Sequence, residues 1–135
     1  MRPKNIKEAK ELVKHYESIT EDLIIEKMKG KEFNAKEVAN ILTGFGSEKT
    51  CTLCKAVGFC IYCIYGKFGG CVEMYAVVYR TDERFKGRLR RTYMAIEKSK
   101  SPKELINAFR ERAKLLRELL KIGYGIEVKY ERNKI

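Results

Sequence analysis

Apolar positions along this chain recur mainly at three- and four-residue spacing, the period of an amphipathic helix. Ile6, Ala9, Val13 and Tyr16 follow it first, with Leu12 and Ile19 widening the stripe and Lys and Glu on the opposite side. Ser18-Ile-Thr20-Glu21 offers hydroxyls that can cap a new start, and Leu23, Ile24 and Met28 carry the pattern on to Gly30. The pattern predicts helix over about residues 5–29, as one helix or two. Asn34-Ala-Lys-Glu37 opens a shorter one over 35–43, carried by Val38, Ile41 and Leu42 and stopped at Gly44. Thr81-Asp-Glu opens a third over 82–98. On it Arg84, Arg88 and Arg91 share one face, and Leu89, Tyr93 and Ile96 lie on another.

The clearest helix start is Ser101-Pro102-Lys-Glu104. Serine caps, proline takes the first helical position, and glutamate three residues on completes a capping box. Leu105, Ile106, Phe109, Ala113, Leu116, Leu119 and Leu120 form a wide apolar stripe over 102–122, with Gly123 as the expected stop. Arg110, Arg117 and Lys121 are assigned to the opposite side, with Lys114 near them. Gly125–Tyr130 alternates and fits a short lone strand. The run Val72–Tyr79 is too short to separate strand from helix by period alone, and we read it as helical or irregular. The fold class expected is mainly α: one small helical domain, residues 1–135, carrying a cysteine-rich loop, with at most a short strand or hairpin.

Composition narrows the setting. The 135 residues suit one domain, and 44% apolar content is enough for a core. Charged residues reach 35%, with 16 Glu, 2 Asp and no Gln, a bias that resembles hyperthermophile proteins. No apolar run approaches the length of a membrane span, and Met1-Arg2-Pro3-Lys4-Asn5 leads into a charged helix pattern. The expectation is a soluble cytoplasmic protein with no membrane partner.

The cysteines change the picture most. All five lie in Cys51-Thr-Leu-Cys54, Cys60-Ile-Tyr-Cys63 and Cys71. Two C-x2-C pairs this close have the spacing of a tetrahedral thiolate site for zinc, because each turn aims two sulfurs at one point. The only histidine, His15, lies on the first predicted helix and reads as a surface or packing residue. A site of two cysteines and two histidines is therefore excluded by count. The simplest ligand set is Cys51, Cys54, Cys60 and Cys63, and Cys71 can replace a member of the second pair. Iron held by four thiolates, an iron–sulfur cluster and disulfides use the same residues and stay open. Val57, Phe59, Ile61, Tyr62, Ile64, Tyr65 and Phe68 fill the loop and suit wrapping and drying a metal. A closed thiolate shell leaves no place for a reacting water, so such a site is structural.

The order C-x-L-C, C-x2-C, Gly70-Cys71, followed by the helical Ala108-Phe-Arg-Glu-Arg-Ala-Lys-Leu-Leu116, resembles a loose group of small phage and archaeal-virus proteins with a cysteine-rich zinc motif. The resemblance covers roughly residues 48–120. It implies metal binding and a viral or mobile-element origin, and carries no activity.

Charge adds a partner. The net charge is +11, and one Zn2+ on four thiolates would bring it to about +9. Residues 1–50 hold 10 basic and 9 acidic groups, residues 51–100 hold 10 and 4, and residues 101–135 hold 9 and 5. The excess sits in the cysteine region and after it. Its densest patch is Arg80, Arg84, Lys86, Arg88, Arg90 and Arg91, with Lys98 and Lys100 beyond. Arginine forks suit phosphates, so DNA or RNA is the expected partner, held without sequence readout. The alternative is an interaction module or homodimer using spare apolar surface of the 102–122 stripe, with zinc purely structural. No enzyme is expected and no small-molecule substrate is inferred: there is no phosphate-cradling glycine loop and no nucleophile–base set.

Overall fold

In the computed structural model, residues 3–44, 85 and 87–130 are described. Five helices are present among them: α1 Ile6–Ser18, α2 Glu21–Met28, α3 Ala35–Thr43, α4 Arg88–Glu97 and α5 Pro102–Tyr124. The described residues are 72% helical and contain no strand, as a mainly α chain requires.

The 5–29 stretch is two helices. Ile19 leaves α1 in extended backbone, ψ 127°, and is fully buried, while the Thr20 hydroxyl accepts the Leu23 amide at 3.2 Å to start α2. Burial of Ile19 and the cap on α2 place the break there. Asn34 caps α3 through the Glu37 amide at 3.1 Å, and Gly44 closes it at φ 73°. The serine half of the capping box forms as expected, the Glu104 amide donating to Ser101 Oγ at 3.2 Å, but Glu104 Oε2 accepts the amide of Lys100, one residue before the cap, at 3.0 Å.

Three boundaries differ from expectation. The 82–98 helix is present over Arg88–Glu97, because Gly87 stands at φ 78° and no α-helix runs through such a residue. The last helix passes Gly123 and closes at Gly125, φ 69°, where the Gly125 and Ile126 amides donate to the Lys121 and Leu120 carbonyls at 3.0 Å each. Residues 125–130 form no strand. Among the described residues there is no strand to pair with, and Val128 is buried against the helices instead.

The helix α5 is what the others gather on. It packs against α1, α2 and α4, while α3 bridges α1, α2 and α4. One apolar cluster joins Ala9, Val13, Ile24, Val38, Phe85, Leu89 and Ile96 to Leu105, Phe109, Leu116 and Leu120. Tyr16 stacks on Phe109 with ring centroids 5.4 Å apart. The apolar stripe of α5 is thus spent inside: Leu105, Ala108, Phe109, Ala113, Leu115, Leu116, Leu119 and Leu120 are all buried, and no broad stripe is left for a second copy. The cysteine segment leaves after α3 and the chain returns before α4, two helices in contact with each other.

Candidate functional site

Of the expected site residues, Cys51, Cys54, Cys60, Cys63, Cys71, Arg80, Arg84 and Lys86 lie outside the described residues, as does the Val72–Tyr79 run. Among the described residues no three His, Cys, Asp or Glu side chains gather where a metal ion could be held. His15 lies exposed on α1, and its Nε2–H donates to the Leu42 carbonyl near the end of α3 at 2.6 Å. It ties two helices together, as a packing residue does.

Arg88, Arg90 and Arg91 occupy the first turn of α4. They are not equivalent. Arg88 is half-buried, pairs with Glu118 of α5 at 2.8 Å and lies over the Phe85 ring, 5.6 Å from its centroid. Its first role is to hold α4 to α5. Arg90 and Arg91 are exposed, and among the described residues neither holds an ion pair. The helix α4 starts at Arg88, after Gly87 in the left-handed region, and Arg84, expected to share a face with Arg88 and Arg91, lies outside the described residues. The exposed basic side of α4 is instead Arg90 and Arg91 with Lys98 two turns on. No acidic residue offsets them in the first turn, which also lacks a side-chain cap. Like charges at the positive end of a helix repel each other and the dipole, so an anion there would be welcome.

The arginines of α5 do the opposite work. Arg110 and Arg117, assigned by pattern to the polar side, turn inward, and Arg112 is buried at 3% exposure. Arg110 donates to the carbonyls of Tyr16 and Ile19, the latter at 2.7 Å, and so caps the end of α1. Arg112 donates to the Leu89 carbonyl and Thr92 Oγ1, both at 2.8 Å, fastening α5 under α4. Arg117 grips both carboxylate oxygens of Glu17 at 2.7 Å, donates to the Val128 carbonyl, and lies 3.6 Å from the centroid of the Tyr130 ring. The Glu17 hydrogen bonds raise the Arg117 pKa above its ordinary value, against the opposing effect of burial.

A signal for Arg112 was available in the sequence. Leu105, Phe109, Arg112, Leu116 and Leu119 alternate four- and three-residue steps, which puts Arg112 in the apolar stripe itself. No such pattern marks Tyr130, whose position depends on where the chain turns after Gly125. Neither a family model, nor a curated protein, nor a solved structure matches the chain.

Proposed function

We propose that this protein is a structural-zinc accessory protein that binds nucleic acid through the outward arginines of α4. The observation that carries the reading is the first turn of α4: three arginines, two of them exposed, with no acidic residue among them. On a chain of net charge +11, such a patch favours a polyanion, and planar forks favour its phosphates. Zinc enters through the two C-x2-C pairs, whose spacing supports a thiolate shell formed by four of Cys51, Cys54, Cys60, Cys63 and Cys71. When bound, the ion would supply shape rather than chemistry, fixing the segment that leads into α4. The setting we infer is the reducing cytoplasm, where clustered thiols hold metal. The cysteine order and the charged composition support an accessory role in a virus or mobile element of a heat-adapted host. The reading is non-catalytic. No helix among the described residues is long and apolar enough to cross a membrane.

Two measurements test it. Elemental analysis of the purified protein should give about one zinc per chain, and five freely reactive thiols without metal would remove the zinc. Fluorescence anisotropy with labelled DNA and RNA should show salt-sensitive binding that weakens in Arg90→Gln/Arg91→Gln. Binding indifferent to both salt and this double change would overturn the nucleic-acid reading. The protein-interaction alternative draws on Ile25 and Ile41, each about half exposed on α2 and α3. It would take over if sedimentation gave a dimer and the anisotropy stayed flat.

A further inference from the structure

Tyr130 is the most exposed large hydrophobic side chain of the described residues, at 74%. An aromatic ring this open is ordinarily a loose rotor. Here one face lies against the Arg117 guanidinium at 3.6 Å, and Arg117 is itself fixed by both oxygens of Glu17 and by the Val128 carbonyl. The ring is therefore held in place by a cation that is 9% exposed, while most of its surface remains in water. Holding an exposed aromatic still costs side-chain freedom in advance, which removes that cost from a later binding step.

The surroundings indicate what would bind. Lys114 and Lys121 lie one turn either side of Arg117 on α5, Lys14 lies one turn before Glu17 on α1, and Lys129 precedes the ring; all four are exposed. Of the acidic groups nearest by position, Glu17 is taken up by Arg117 and Glu118 by Arg88, while Glu127 and Glu131 flank the ring in sequence. A protein-binding hot spot has an apolar core from which charge, lysine above all, is depleted. Here four exposed lysines lie within a helical turn or one residue of Arg117, Glu17 or Tyr130, and Ile122, at 43% exposure, is the one large exposed aliphatic of α5. An open π-surface held by a cation, on elements that carry exposed lysines, matches a ligand with flat π-faces joined by phosphates. We infer that Tyr130 is a stacking platform for an unpaired base of single-stranded RNA or DNA, with the lysines meeting the adjoining phosphates. This deepens, and rests on, the nucleic-acid reading above. It adds a preference that the α4 arginines alone do not provide, because bases inside a duplex cannot reach a ring.

The test uses the full zinc-loaded chain and two fluorescein-labelled probes, a single-stranded oligouridylate and a mixed-sequence duplex of the same length, at low salt. The wild type should bind the single strand more tightly. Tyr130→Ala should lose roughly 5- to 100-fold on the single strand and little on the duplex, while Tyr130→Phe and Tyr130→Trp should keep the preference. Thermal melting accompanies each variant, and the Tyr130→Phe and Tyr130→Trp pair carries the test if the alanine variant melts early. Single-strand affinity unchanged in Tyr130→Ala, or lost equally for both probes, would overturn the platform while leaving the α4 interface standing. Wild-type protein that binds neither probe would overturn both.

Discussion

The arginines of α4 and those of α5 make an instructive pair. Both sets lie on helices and both contribute to the same formal charge. Those of α5 end on carbonyls, a hydroxyl and one carboxylate inside the molecule. Arg90 and Arg91 are exposed, the Arg91 guanidinium lying over Gly87. A guanidinium has five donors in a fixed fork, enough to serve several backbone acceptors at once, so it can be a structural bracket as readily as a phosphate hook. The lesson is that net charge describes a surface only after the inward cations have been set aside. The excess in residues 101–135 is partly internal wiring, whereas Arg90 and Arg91 of α4 are exposed.

The comparison breaks if the inward set proves dispensable. Arg112→Ala should cost the most, about 3 kcal/mol, because it opens a gap beneath α4 and withdraws a donor from a buried carbonyl. Arg112→Met should recover part of that by filling the volume. Chemical denaturation reads both, and an alanine variant as stable as wild type would show Arg112 to be a passenger. Next comes Arg117→Ala, at about 2 kcal/mol, since Glu17 is partly exposed and can take water in return. Hydrogen exchange should speed up in residues 126–130. A raised folded-state pKa means that the Arg117 contribution is fully present below the ordinary arginine value and lost only as pH rises through the raised one. Protection of the tail, after correction for intrinsic exchange, should therefore show no loss through Arg117 anywhere below the ordinary arginine range. Ser101→Ala, which removes the cap of α5 but no bracket, should cost about 1 kcal/mol in the same denaturation series. Last, Arg90→Gln/Arg91→Gln should change stability by less than about 0.5 kcal/mol while lowering the salt slope of nucleic-acid binding by about 1.4 to 1.8. A large loss of stability there would erase the contrast between the two helices.

Much of the fold was legible because the caps are local chemistry. Asn34, Thr20 and Ser101 each cap the amide three residues on, and these positions were among those the sequence offered. The inward arginines were not legible by residue class, because whether a long cationic side chain turns in or out depends on acceptors far along the chain: Tyr16, Glu17 and Leu89 for Arg110, Arg117 and Arg112. The α4 site was legible in composition but not in geometry. One glycine, Gly87 at φ 78°, stands at the start of α4, and a left-handed residue there cannot be read from apolar periodicity. The ligand set within Cys51–Cys71 is a matter of spacing alone, which names a chemistry without choosing four sulfurs from five.

The cap on α1 has a consequence for how the chain acquires its shape. Helix ends are commonly closed by a neighbour in sequence, but here the carbonyls of Tyr16 and Ile19 are closed by Arg110, 94 and 91 residues away, and Glu17 waits for Arg117, 100 residues on. Because α5 follows the other four helices in chain order, α1 emerges during synthesis with its end unfinished and its apolar face uncovered. Contacts of such long span slow folding relative to a bundle of adjacent hairpins. The nascent protein thus depends on the last of its five described helices, and truncation or stalling before about residue 117 would leave the earlier ones without the scaffold that joins them.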